Sequence, residues 1–228
     1  LVSWARDVYK RQVPYEQIVY EIDDPVAIIK LARPAQLNAW TDRMAAEVKH
    51  AVAAAEADER VVVIILTGEG RGFCSGADLK NLQAIGAGDR GGSALPAELS
   101  ASPGDPEMNE SFHGAYSYLM SVRKPIIAAI NGPCAGMAVP IALCCDIRFA
   151  SDRAVFTTAF SQRGLIAEWG ISWTLSRLVG PAHALDLILS ARKVDAAEAE
   201  RIGLVNKVLP HDDPVSYTHL TLPTNREV

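Results

Sequence analysis

The chain has 228 residues, 49% hydrophobic and 21% charged, with a formal net charge of −5 at pH 7. This is the composition of one globular domain with a sizeable core. The mild acidity gives no electrostatic footprint for nucleic acid or an anionic membrane, and the longest apolar runs, 61–66 and 126–130, are far too short to span a bilayer.

The two ends read as foreign. Residues 7–12 (DVYKRQ) are what GAT GTG TAT AAG AGA CAG encodes, the end of a transposase sequencing adaptor. Residues 215–224 (VSYTHLTLPT) are what its reverse complement encodes, and 2–6 (VSWAR) resemble the upstream part of a partner adaptor. Residues 1–12 and 215–228 are therefore expected to be adaptor-derived and no part of the native domain. The genuine domain is expected to span 13–214, truncated at its C-terminal side. Continuous native coding sequence through 217–224 in the source gene would refute this.

Residues 15–32 predict two short strands. Ile18, Tyr20 and Ile22 alternate with polar residues, 26–31 are apolar and β-branched, and Asp23-Asp24-Pro25 forms the turn. Thr41 is the expected N-cap of a helix reaching Ala57, with Met44, Val48, Val52 and Ala55 as its buried stripe. Residues 61–67 predict a strand covered on both faces. A glycine-rich loop follows at 68–76, then a short helix at 79–85. Residues 86–106, rich in Gly, Ser, Ala and Pro, predict a mobile loop. A helix is expected over 107–122, then a buried strand at 126–130, a turn at 131–136 and a helix from about Gly136 to Cys144. Short strands are expected at 146–150, 155–157 and 205–209, and helices at 175–179, 181–190 and 196–202. Pro181 fits a first helical position and Gly203 a helix stop. Alternating strands and helices imply an α/β domain with right-handed crossovers.

Two segments carry the chemistry. In 61–79 (VVVIILTGEGRGFCSGADL) and 124–147 (KPIIAAINGPCAGMAVPIALCCDI), a buried strand runs into a glycine turn and then a helix start. Such turns expose backbone N–H groups, and two of them facing one another can grip one developing oxyanion. Preorganised donors of this kind contribute about 3–4 kcal/mol each. A tight connection or a phosphate cradle remains open for either turn alone, although neither G-x-G-x-x-G nor G-x-x-x-x-G-K-[ST] is present.

FCSGADL at 73–79, about fifty residues before AAINGPCAGMAVPIALCCDIRFA at 128–150, resembles the paired signature of the crotonase superfamily, the enoyl-CoA hydratase/isomerase family. RPAQLNAW at 33–40 resembles its early CoA-contacting segment, and 156–180 and 184–210 its later blocks. The resemblance is collinear over nearly all of 13–210. It implies a crotonase (ClpP-like) spiral of ββα units with helices at the C-terminal side. It implies an acyl-CoA substrate, no cofactor beyond coenzyme A as part of that substrate and, when full length, a homotrimer or dimer of trimers; the cysteines, in apolar or glycine-rich context without zinc-ligand spacing, separately point to a cytoplasmic location and no metal. It implies that the backbone N–H groups of Ala77 and Met137 are the oxyanion donors. Gln36, Leu37, Ser75, Gly76, Asp78, Leu79 and Gly136 then line the CoA-ester site with them.

The sequence departs from the family at two positions. In the hydratase pattern two glutamates hold the attacking water; here Pro140 and Phe160 stand at their places. Glu168 remains in 164–170, where the family's dienoyl-CoA isomerases carry an acidic residue that transfers protons. A carboxylate walled from water by Trp169 would suit a general acid or base. The expected activity is an enoyl-CoA hydratase/isomerase-like reaction with Glu168 as acid/base. The alternatives are hydrolysis, decarboxylation or C–C cleavage of a CoA ester, and non-catalytic acyl-CoA binding. Asp78 and Asp146 are expected to brace backbone, and His113 to lie on a helix near the mobile loop. Cys74, Cys134, Cys144 and Cys145 are expected to be reduced, with Cys74, Cys144 and Cys145 acting as small buried apolar residues.

Overall fold

The computed structural model describes residues 15–78 and 95–211. Both stretches read as adaptor-derived lie outside the described residues, as do the short helix expected at 79–85 and the part of the expected mobile loop before residue 95. The other part, 95–106, is tied down: Leu99 is buried and the Gly104 N–H donates to Glu56.

Among the described residues, one sheet has the order β1-β2-β3-β4-β6-β9. Its strands are β1 (Ile18–Asp23), β2 (Val26–Leu31), β3 (Val63–Gly68), β4 (Ile126–Ile130), β6 (Ile147–Ser151) and β9 (Lys207–Leu209). Only β1 runs antiparallel, as the Asp24-Pro25 hairpin requires; the other pairings are parallel. Parallel strands need crossovers, and the glycine loops lie within them. A second sheet joins β5 (Cys134–Ala135), β7 (Val155–Thr157) and β8 (Val194–Asp195). The helices are α1 (Asp42–Ala57), α2 (Ala138–Leu143), α3 (Ile171–Ser190) and α4 (Ala196–Arg201). None is long and apolar enough to cross a membrane.

The middle strands are apolar on both faces because both faces are covered. Ile64, Leu66, Ala128 and Ile130 join the main core, and Val63, Ile65, Ile127 and Ala129 pack on the other side. α1 starts where expected: the Thr41 Oγ1 accepts from the Met44 N–H at 3.0 Å. Its stripe of Met44, Val48, Val52 and Ala55 is buried, and so is a residue the stripe did not announce. The Glu47 carboxylate, fully buried, accepts from the N–H groups of Glu16 and Gln17 and from Arg43 Nε at 2.7 Å. It fastens the entry of β1 to the helix. Glu47→Ala leaves three donors without an acceptor and is expected to cost about 3–4 kcal/mol, read by urea unfolding.

Two helix expectations change. Residues 107–122 form only the 3-10 turns Glu110–Phe112 and Ser117–Ser121. Ser117 Oγ accepts from the Gly114 N–H and donates to the Ser111 carbonyl, so a side chain takes the bonds that a helix would use. The helix expected at 175–179 begins earlier, at Ile171, and meets the next at Gly180, whose φ of 79° breaks the helical path just before Pro181.

Candidate functional site

The first glycine loop leaves β3 and folds back over it. A Cβ on Gly68 would lie 2.2 Å from the Gly72 carbonyl, so only glycine fits there. Residues 33–40 fasten the loop. Leu37 and Asn38 take left-handed φ values of 50° and 55°, and the buried Asn38 amide then reaches both ways. Its Oδ1 accepts from the Arg33 N–H, and its Nδ2 donates to the Glu69 and Gly72 carbonyls. Asn tolerates this backbone region better than most residues do. Asn38→Ala keeps the strained φ and loses all three bonds. It is expected to cost about 3 kcal/mol, measured by denaturant unfolding, with a parallel fall in activity because the loop is released.

The same segment meets the loop's far end. The Ser75 N–H donates to the Leu37 carbonyl at 2.9 Å, and Ser75 Oγ to the Gln36 carbonyl at 3.3 Å. Trp40 N–H donates to the Gly76 carbonyl and Asp78 N–H to the Trp40 carbonyl, forming a parallel bridge between Trp40 and Ala77. Asp78 pairs with Arg33 at 2.9 Å, the bracing role expected for it.

The second loop lies alongside the first. Asn131 Oδ1 accepts from the Gly68 N–H, the Phe73 and Cys74 N–H groups donate to the Pro133 carbonyl, and the Ala135 N–H donates to the Cys74 carbonyl. Cys74 and Cys134 form a parallel bridge. Two residues further on, the glycines abut: a Cβ on Gly76 would lie 2.9 Å from the Ala135 carbonyl oxygen and 3.7 Å from Gly136 Cα. Gly76 and Gly136 take φ values of 97° and 55° and turn the chain off this ladder. The next amides in each chain, those of Ala77 and Met137, donate to no other described residue. The structure therefore brings Gln36, Leu37, Ser75, Gly76, Ala77, Asp78, Gly136 and Met137 into one neighbourhood. Leu79 lies outside the described residues.

Glu168 sits in the turn before α3. It is half-buried, its carboxylate bonds to no other described residue, and its carbonyl accepts from the Ile171 N–H. Trp169 takes a left-handed φ of 58° and packs edge-on against Tyr116, with ring centroids 4.9 Å apart. Trp169 is itself 46% exposed, not the buried wall expected beside the carboxylate. Tyr116 packs in turn on Trp40 at 5.8 Å, so three aromatic rings link the first loop to the Glu168 turn. Sequence reading missed Tyr116 because it fell in the segment expected to be helical. Pro140 and Phe160 are buried among apolar side chains.

The remaining candidates are structural. The Asp146 carboxylate accepts from the Ile126 N–H at 2.7 Å. His113, exposed and at the end of a 3-10 turn rather than on a helix, contacts the Asp105 carbonyl. All four cysteines are free and buried. Burial pushes the Cys74 and Cys144 thiols up to about 12, so both are neutral thiols at physiological pH. Among the described residues, no cluster of three His, Cys, Asp or Glu side chains is arranged to hold a metal ion.

A sequence model described as Enoyl-CoA hydratase/isomerase matches residues 21–224. A probable enoyl-CoA hydratase of Mycobacterium bovis is 36% identical over 210 residues, covering 92% of this chain and 75% of its own length. One from Rhodobacter capsulatus is 36% identical over 199 residues, covering 87% and 71%. Among solved structures, an enoyl-CoA hydratase subunit of Geobacillus kaustophilus superposes with a TM-score of 0.74 at 32% identity, covering 90% of this chain and 74% of that one. One from Mycobacterium marinum gives 0.67 at 40% identity, covering 88% and 84%. The resemblance read from the glycine motifs therefore holds for the fold as well. The chain is an enzyme of the crotonase superfamily and belongs to the enoyl-CoA hydratase/isomerase family.

Proposed function

We propose that the site binds an acyl-CoA thioester with its carbonyl oxygen between the backbone N–H groups of Ala77 and Met137, and that Glu168 moves the proton. One observation carries this reading: Gly76 and Gly136 abut, and the amide after each lacks an acceptor among the described residues. As the α-carbon loses a proton or is attacked, the thioester oxygen gains charge. Two fixed donors then stabilise it without reorganisation. Gln36, Leu37, Ser75 and Asp78 frame the ester, and Arg33 holds Asp78 in place. The coenzyme A portion arrives with the substrate, and the chemistry draws on no resident cofactor.

Pro140 and Phe160 cannot transfer protons. Glu168, with no competing ion pair among the described residues, supports chemistry through a single carboxylate. Moving a double bond by taking and returning one proton needs only that; adding water held by Glu168 is the second outcome. The test is incubation with enoyl-CoA and dienoyl-CoA panels, with products read by mass spectrometry. A shifted double bond or a gain of one water supports the reading, and failure to process any CoA ester overturns it. Free coenzyme A or loss of CO2 would point instead to hydrolysis or decarboxylation.

Exposed Trp173, Leu178, Leu185 and Leu189 on α3 support self-assembly as a homotrimer or dimer of trimers. Sedimentation of the full-length protein as a monomer at micromolar concentration would contradict it. Four buried free thiols accord with a reducing cytoplasmic setting, and natural disulfides found in the isolated protein would contradict that.

A further inference from the structure

Trp40 occupies an unusual place. Its main chain holds Gly76 and Asp78 on either side of Ala77, while its indole is 5% exposed and the ring N–H finds no acceptor among the described residues. Buried donors are nearly always satisfied, so this orphan, on a residue whose main chain flanks Ala77, calls for an explanation. Tyr116 supplies half of one. Its ring, 8% exposed, lies between those of Trp40 and Trp169, and so between the first glycine loop and the Glu168 turn. Its hydroxyl lies near enough to the Trp40 N–H to feel it, but no hydrogen bond is made. Burial raises the phenol well above its usual pKa, so the hydroxyl keeps its proton at working pH and acts as a donor.

The ring pair therefore combines flat apolar surface with two underused polar groups. A plain hydrocarbon chain would cover the rings and leave the donors unpaired. An acyl group with an oxygen at the right depth would accept from the Tyr116 O–H, while a small rotation lets the Trp40 N–H donate to the phenolic oxygen. A site built to bond an oxygen rejects the analogue that lacks it, because its own buried polar groups then go unsatisfied.

Resting on the acyl-CoA reading above, we propose that Trp40 and Tyr116 form a specificity pair that recognises an oxygen atom on the acyl group. The site then selects CoA esters with a hydroxyl, oxo or ether oxygen beyond the thioester over all-carbon chains. Proton movement stays with Glu168; the pair sets which acyl group is held against it.

The experiment uses the purified protein and pairs of enoyl-CoA esters of equal length, in which one methylene is replaced by an ether oxygen at successive positions. The expected result is a kcat/KM preference for the oxygen ester of about tenfold at one position. In Tyr116→Phe the ratio falls to within about twofold, and Trp40→Phe lowers it as well. A ratio below about twofold at every position in the wild type overturns the inference, as does a ratio unaltered in Tyr116→Phe. If Tyr116→Phe does not fold, the wild-type series decides alone. Turnover of both esters without preference sinks only the specificity pair; failure to bind or process any CoA ester sinks the functional reading with it.

Discussion

Gly76→Ala lowers kcat by about 10²–10³-fold, the loss seen when one oxyanion donor is removed. The cause is local. At φ 97° an L side chain is strained, and the added Cβ would lie 2.9 Å from the Ala135 carbonyl oxygen, a main-chain atom of the opposing loop. The two loops must part, and the next amide, that of Ala77, moves with them. Steady-state kinetics on a processed CoA ester reads the effect, and Gly203→Ala supplies the comparison. Gly203 has a φ of 78°, but an added Cβ there would be 3.5 Å from its nearest neighbour, the Leu178 carbonyl oxygen. That variant loses stability and keeps kcat within a few-fold. Equal losses of kcat in the two variants would mean that strain, rather than the position of the Ala77 amide, explains the result.

Glu168→Gln lowers kcat by about 10²–10⁴-fold, the usual contribution of a positioned general acid or base. Gln keeps the shape and removes the proton-carrying function, so CoA-ester binding measured by calorimetry stays within a few-fold of wild type. This pattern separates a catalytic carboxylate from one that only shapes the turn before α3, whose loss would weaken binding and kcat together. Full activity in Glu168→Gln would remove the residue from the mechanism. Pro140 and Phe160 would not replace it, and the reaction would then need another proton carrier.

Much of this arrangement was legible in the sequence, for reasons that are local. The β1–β2 hairpin shows in its alternation and its turn, α1 in Thr41 and its apolar spacing, and β3 and β4 in their unbroken apolar runs. The two glycine loops were legible as motifs, and their order along the chain matched a family whose fold places them together. What stayed hidden depends on contacts distant in sequence. β5, β7 and β8 have two or three residues each, too few to show a period. Glu47 lies on a helix face where spacing alone predicts nothing polar; its burial depends on the backbone N–H groups of Glu16 and Gln17 and on Arg43. Asn38 reads as one polar residue in a loop until its left-handed backbone shows both ends of its amide occupied. Tyr116 was obscured by a helical reading that Gly114 and Ser117 undo.

In the proposed reaction two main-chain amides serve one thioester oxygen. A crystal structure of the protein with an inert acyl-CoA analogue tests this most directly. The analogue's carbonyl oxygen is expected within about 2.7–3.1 Å of both the Ala77 and the Met137 nitrogen. An oxygen bound by only one of them, or an ester seated away from Gly76 and Gly136, would contradict it.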